Sequence, residues 1–393
     1  MTDLLWPGDN RAGEIFSDAS VLDAMLRVET AWLAALHEYG LAGPPPDLTT
    51  VVGPADLPAL AARSEDGGNP VIPLLALLRE RLDPAPATAL HAGLTSQDVL
   101  DTALVLNLRA AADRLRDDLA AQIDALAGLA DRHRGTRMAG RTLTQHAVPI
   151  TFGLKAAGWL EAVLDARDAL HAAAGLPIQL GGAAGSLAAP VALAGSPERA
   201  LGLVAAAATR LGLPARPPWH TARAPLTRLA DAFVTGTDAW GRIAGDVLTL
   251  GRPEIGELHE APAEGRGGSS AMPNKQNPVL AVLLRRAALA GPPLAATLHA
   301  AAAAAVDERP DGAWHAEWST LRTLTRHTVT AGSQAAELLA GLRPDPARMA
   351  ANLAAAHPAI DAEQHKFGDD GPYLGATEQF IDAALARADE KQC

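Results

Sequence analysis

Leu226–Leu250 reads LTRLADAFVTGTDAWGRIAGDVLTL, and with Gly236 included its apolar positions 226, 229, 233, 236, 240, 243, 247 and 250 alternate steps of three and four. Steps of that size return to one face of a helix with 3.6 residues per turn, so the stretch predicts a rod with a single apolar seam. Gly236 on that seam predicts a close approach by a neighbouring element. No strand accounts for the spacing, because a strand alternates its faces at every residue.

The same signature spreads outward. From Thr102, residues Leu104, Leu108, Ala111, Leu115, Leu119, Ile123, Leu126 and Leu129 recur on one face, while Arg109, Asp113, Arg116 and Asp117 fall elsewhere. About thirty residues at 1.5 Å each give a rod of roughly 45 Å. Pro149–Ala174, Pro278–Leu289 and Trp314–Leu339 supply further long helices, and five such rods make a bundle. Before residue 100 the pattern is shorter: Val21–Tyr39 stops at Gly40 and Pro44–Pro46, and Ile72–Leu82 is bounded by prolines. After Gly341 and Pro344 the helices shorten again. The expected fold is all-α, an elongated central helical bundle (101–341) between a smaller N-terminal helical domain (1–100) and an abbreviated C-terminal one (342–393). Long rods bury little unless their partners are equally long, so a homo-oligomer is expected.

Composition agrees. The 393 residues are 48% hydrophobic and 4% aromatic, which excludes a disordered chain and favours Ala- and Leu-rich helices. The charge of 33 − 45 = −12 argues against nucleic acid or an anionic membrane as partner. Cys393 is the only cysteine and the first sixteen residues lack a basic start and apolar run, so a cytoplasmic protein is expected. Ala287–Val306 has no charge and spans a membrane's length, but Gly291-Pro292-Pro293 reads as a break between two buried helices. Zinc-ligand spacing, a Walker loop and a dinucleotide fingerprint are all missing from the sequence. Neither a metal nor an organic cofactor is expected.

Three polar, glycine-bearing segments interrupt the apolar design at rod ends. Residues 254–278 read EIGELHEAPAEGRGGSSAMPNKQNP. Gly265, Gly267 and Gly268 permit a loop, Ser269 and Ser270 carry hydroxyls, and Lys275 and Asn277 precede the helix opened by Pro278. A serine is a poor base unless cations or backbone N–H groups stabilise its alkoxide, and both are available here. A linker whose serine or asparagine caps a helix fits the same residues. Residues 91–102, HAGLTSQDVLDT, place Thr95 and Ser96 before a helix whose free N–H groups bind an anionic oxygen. Asp98 fits a capping box equally. Residues 140–149, GRTLTQHAVP, form the third segment.

GSSAMPNKQNP resembles the GSSxMPxKxNP signature of the fumarase/aspartase superfamily, and HAGLTS-Q-D and GRTLTQ resemble its first two conserved regions. The resemblance implies proton abstraction next to a carboxylate, with Ser269 as the base and Lys275 beside it in the catalytic loop (260–278). It also implies that His91, Thr95, Ser96, Arg141, Thr142, Gln145, Ser270, Met272 and Asn277 bind a di- or tricarboxylate. A tetramer whose sites are shared between subunits is implied as well. The chain departs from the family at Leu143, where members that protonate their leaving group carry histidine. His146 lies three residues on, roughly on the same helical face, but the role does not transfer to it and it reads as a surface or packing histidine. A carboxylate, with a reference pKa near 4, departs without a proton donor. Leu143 therefore points to the lactone-forming 3-carboxy-cis,cis-muconate cycloisomerase branch. QLGGAAGSLA (179–188), PWHTAR (218–223), ERPDGAWHAEW (308–318) and YLGATEQFIDAAL (373–385) also resemble that branch. His220 and Arg223 join the substrate-binding set on this basis, with packing as the other reading of each. Trp314, His315 and Trp318 read as packing, and Glu257 and Glu260 as solvated.

Overall fold

Helical periodicity dictates the structure, a computed structural model that describes residues 3–269, 271–272, 274–366, 371 and 373–390. Its helices are α1 (Asp18–Glu38), α2 (Leu57–Gly67), α3 (Val71–Arg81), α4 (Pro84–Ala89), α5 (Ser96–Arg132), α6 (Phe152–Ala173), α7 (Ala188–Ala194), α8 (Pro197–Leu211), α9 (Ala224–Leu250), α10 (Val279–Ala303), α11 (Gly312–Ala340), α12 (Pro346–Lys366) and α13 (Thr377–Asp389). Three short 3-10 helices and two short antiparallel pairings, β1 (Arg137–Thr142) with β2 (Gln145–Thr151) and β3 (Leu258–His259) with β4 (Arg343–Pro344), accompany them among the described residues. The fold is all-α.

Every apolar seam residue named on α5 and on α9, Gly236 included, is buried. The chain forms two compact units, and α5, α9, α10 and α11 each contribute part of their length to both. The first unit comprises Met1–Asp113, His171–Asp231 and Pro293–His327. In it α1 packs on α8, and Ser17 caps α1 by accepting the Ser20 N–H at 3.1 Å. Trp32 is fully buried and spends its indole N–H on Ala92 O at 2.8 Å, which ties α1 to the segment leading into α5.

The second unit comprises Arg114–Leu170, Ala232–Pro292 and Thr328–Cys393. Buried Gln122 joins three rods there: it accepts the Trp240 indole N–H at 2.7 Å and donates to Gly332 O at 3.0 Å. Helices α9 and α10 approach closely at Gly241, where an added Cβ would meet Ala288 Cβ at 2.3 Å. Gly236, expected to admit a neighbour, faces Trp240 of its own helix. Helix α13 docks through two arginines. Arg134 holds Glu378 at 2.8 Å and Asp382 at 2.7 Å, and Arg387 holds Asp165 at 2.8 Å and Asp168 at 2.7 Å.

Two further expectations fail. α10 runs unbroken through Gly291-Pro292-Pro293, although the prolines remove two backbone donors. Its approach to α9 compensates: Gly241 seats Ala288, and Gly291 lies against Thr237, with 3.0 Å between the Thr237 Oγ1 and an added Cβ. By length and composition α10 is also apolar enough to cross a membrane. The second failure is Pro149–Thr151, expected in a helix but paired in β2. A proline at a strand's less hydrogen-bonded positions costs nothing, and α12 covers the hairpin with Leu353, Ala356 and Ile360 packed on Ala139.

Candidate active site

Residues from the three polar segments gather in two sets, one within each unit. In the first unit Thr95 precedes α5, and the Asp98 carboxylate returns to the Thr95 N–H at 3.1 Å, so the capping reading of Asp98 holds. Asp98 does more. It is fully buried and accepts the Gly181 N–H at 2.8 Å, the Gly182 N–H at 2.9 Å and His220 Nε2 at 2.9 Å. One carboxylate thus fixes the start of α5, the 181–185 glycine loop and the segment preceding α9. A Cβ on Gly181 would fall 2.8 Å from the His220 ring, which is why glycine stands there.

His220 is therefore an internal partner of Asp98, buried away from any solute. Arg223 is corrected in the same way. Its buried guanidinium meets Asp101 at 2.6 Å and Glu317 at 2.6 Å and lies over the Trp219 ring at 4.8 Å. The carboxylates it clamps belong to the protein. With one cation for two buried carboxylates, burial pushes the Glu317 carboxyl up, against the opposing pull of Arg223. His91 keeps a local role: its Nδ1 lies 2.6 Å from the carboxylate of buried Glu29, which fixes the ring. Ser96 opens α5, and the Thr95 hydroxyl accepts from Arg309, which also donates to Ala183 O at 3.2 Å. Sequence reasoning missed Arg309, although it stands inside the quoted ERPDGAWHAEW segment.

The second unit holds the loop 260–278, which the sequence leads one to expect as the catalytic loop. Ser269 Oγ accepts the Met272 N–H at 3.1 Å and the Ala271 N–H at 3.3 Å. These are the donors an alkoxide requires, because each stabilises negative charge on that oxygen. Met272 acts here through its backbone, and its carbonyl accepts the Lys275 N–H at 3.1 Å. Lys275 is exposed and lines a cavity of about 600 Å³ with Arg252, His259, Glu260 and Asn277. Ser270 lies outside the described residues.

Asn277 latches the loop: its N–H reaches Gly267 O at 2.8 Å and its Nδ2 the same oxygen at 3.1 Å. The side chain expected on substrate is spent on the loop base. Gly267 has φ +80°, and an added Cβ would come within 2.7 Å of Asn277 O. Gly267→Ala is therefore expected to shift Ser269 and lower kcat/KM by about 10²-fold. The melting temperature should hardly move, since most of the loop is exposed; parallel kinetics and thermal melts check both halves.

Glu257 and Glu260 are not solvated. Glu257 is fully buried, accepts both Arg141 Nη groups at 2.7 and 2.8 Å, and accepts Asn352 Nδ2 at 2.8 Å. Arg141, read as substrate-binding, thereby anchors the hairpin to the start of the loop and to α12. Glu260 caps α10 from a distance, accepting the Leu280 N–H at 3.2 Å and the Ala281 N–H at 2.7 Å. Burial pushes its carboxyl up, against the pull of those two N–H groups.

Leu143 and Thr144 form the tip of the hairpin with φ of +48° and +70°. Two successive left-handed residues make the kind of two-residue turn that matches strand twist. Thr142 pairs with Gln145 across it, and both are exposed. His146 stands opposite Arg141 rather than beside Leu143, so the helical-face argument fails because the segment is a hairpin. Leu143 itself is 95% exposed and has no proton to give.

Residues 68–341 match the family described as Lyase. The chain belongs to this lyase family of the fumarase/aspartase superfamily. Among lyases of known activity it is 48% identical to nitrosuccinate lyase of Streptomyces davaonensis over 349 residues, 86% of this chain and 73% of that one. It is 41% identical to 3-carboxy-cis,cis-muconate cycloisomerase of Bradyrhizobium diazoefficiens over 362 residues, 89% of this chain and 78% of that one. The lyase fold superposes on the crystal structure of 3-carboxy-cis,cis-muconate lactonizing enzyme from Pseudomonas putida with a TM-score of 0.83, at 32% identity and 96% coverage of each chain.

Proposed function

We propose that the chain is an enzyme interconverting 3-carboxy-cis,cis-muconate and 4-carboxymuconolactone, a step of aromatic-acid (protocatechuate) breakdown. The observation that carries the class of leaving group is Leu143, an aliphatic side chain at the exposed hairpin tip. A reaction run there must expel a group that leaves as a weak base, and a carboxylate with a reference pKa of about 4 does so.

In the lactone-opening direction Ser269 removes the proton α to a carboxylate. Negative charge builds on that carboxylate, where Lys275 supplies charge and Thr95 and Ser96 of another subunit supply hydrogen bonds, with Arg309 of that other subunit adding a cation beside Thr95. The ring carboxylate then departs from the β-carbon. In the lactonising direction the carboxylate adds and Ser269 returns the proton. Thr142, Gln145 and His91 complete the substrate's surroundings in this reading. Expulsion of an amine, as in an adenylosuccinate-type lyase, is disfavoured because such a leaving group needs a proton that Leu143 lacks.

One other reading has its own support, the 48% identity to nitrosuccinate lyase. Nitrite also leaves as a weak base, so Leu143 suits elimination from nitrosuccinate equally. Purified protein assayed in parallel decides. Falling ultraviolet absorbance with 3-carboxymuconate supports the first reaction, and nitrite and fumarate released from nitrosuccinate with no muconate turnover overturns it.

The proposal includes a cytoplasmic homotetramer with active sites shared between subunits. Supporting it are exposed apolar residues on α10, Val282 and Leu289, and Leu143 on the hairpin tip. Light scattering behind size exclusion that finds a fully active monomer would sink it.

A further inference from the structure

Away from both sets, the first unit carries a cavity of about 270 Å³ that the reaction does not use. Phe16, Leu100 and Leu104 give it apolar walls, Trp318 and His315 an aromatic side, and Arg322 a cation. Three features show that this place is built. Phe16 is buried in a left-handed conformation, φ +57°, and is held there by its N–H to Asn107 Oδ1 at 3.1 Å. Bulky residues keep that conformation only where their surroundings enforce it, and such positions cluster at ligand clamps. The His315 ring sits between two carbonyls, Nε2 2.8 Å from Gly68 O and Nδ1 3.2 Å from Asp311 O, so whichever ring nitrogen carries the hydrogen has an acceptor. Trp318, stacked edge-on to Trp314 at 4.7 Å, has its indole Nε1–H buried with no acceptor among the described residues. A buried donor left without a partner is costly, so an acceptor in the cavity is favoured.

We infer that this cavity binds a small planar aromatic carboxylate, its ring against Trp318 and its carboxylate between the indole N–H and Arg322. The shape and chemistry select that class. A ring fills an apolar slot of this size, an oxygen acceptor satisfies Trp318, and Arg322 supplies the charge that an uncharged arene would not use. Arg322 is held by Asp18 at 2.7 Å, but Asp18 is more than half exposed and that pair is screened by water, so the guanidinium retains attraction for a second carboxylate.

Benzoate, titrated calorimetrically into the whole protein, is the probe, with toluene and cyclohexanecarboxylate as controls. Benzoate is expected to bind more tightly than either control. Arg322→Gln and Trp318→Phe should each weaken it by about tenfold. Leu104→Trp, which fills the slot, should abolish it. None of the three residues belongs to the catalytic machinery, so kcat/KM should hold in Arg322→Gln. Benzoate affinity unchanged in both Arg322→Gln and Trp318→Phe would place the ligand elsewhere and overturn the proposal, as would no binding. Crystals soaked in 4-iodobenzoate give a readout independent of variant folding: anomalous iodine density beside Trp318 supports the site, and density only near Ser269, or none, overturns it.

Discussion

Ser269→Ala is expected to lower kcat by about 10³-fold, the range of a lost general base, while KM and the helical circular dichroism stay close to wild type. The reason lies in what the hydroxyl touches. Ser269 Oγ receives the N–H groups of Ala271 and Met272 and supports no packed element. Removing it returns two exposed N–H groups to water, which costs little, and removes an oxygen that backbone donors stabilise as an anion. Steady-state turnover of 3-carboxymuconate, or of nitrosuccinate if that is the substrate, measures the loss. Turnover near the wild-type rate would remove Ser269 from the mechanism whichever substrate is used.

The largest effect on stability is expected at Arg223. Arg223→Leu leaves Asp101 and Glu317 buried without their cation, a loss of about 3–5 kcal/mol that a urea midpoint will show. Glu317→Gln should behave in the opposite sense at neutral pH. It keeps an acceptor for Arg223 and leaves one cation facing one carboxylate.

The pH dependence of stability tests the same cluster. Burial raises the folded-state Glu317 carboxyl above its ordinary value of 4.5, so the folded protein holds that proton to higher pH than the unfolded chain. Its contribution to stability is fully present below the ordinary value and is lost as pH rises through the folded one. Melting temperatures of wild type should therefore fall relative to Glu317→Gln as pH rises from about 4.5 toward neutrality. Parallel curves across that range would contradict the assignment.

Much of the catalytic loop is legible in the sequence. Ser269 stands in a glycine-rich string beside Lys275, and the requirement for nearby N–H groups follows from the chemistry of an alkoxide. The hairpin is not legible. Arg137–Thr151 carries few of the residues that mark strands, and its tip is Leu143-Thr144 rather than an Asn-Gly pair, so nothing local announces a turn. Arginines and histidines mislead for a related reason. A sequence shows a charge but not its partner, so Arg141, His220 and Arg223 read as ligands for a carboxylate, whereas in the fold they hold Glu257, Asp98, Asp101 and Glu317. Those partners lie up to 122 residues away along the chain.

By itself the sequence determined most of the long rods and the buried faces of α5 and α9, because apolar spacing at 3.6 residues per turn is a local property that hydrophobic burial enforces. It also determined that a serine, a lysine and a glycine loop occur together. Tertiary structure decided which polar groups remain available for chemistry. An ion pair or buried hydrogen bond depends on distance in space, and only packing shows that Asp98 gathers a glycine loop, that Asn277 closes its own loop, and that Ser269 Oγ receives two loop N–H groups.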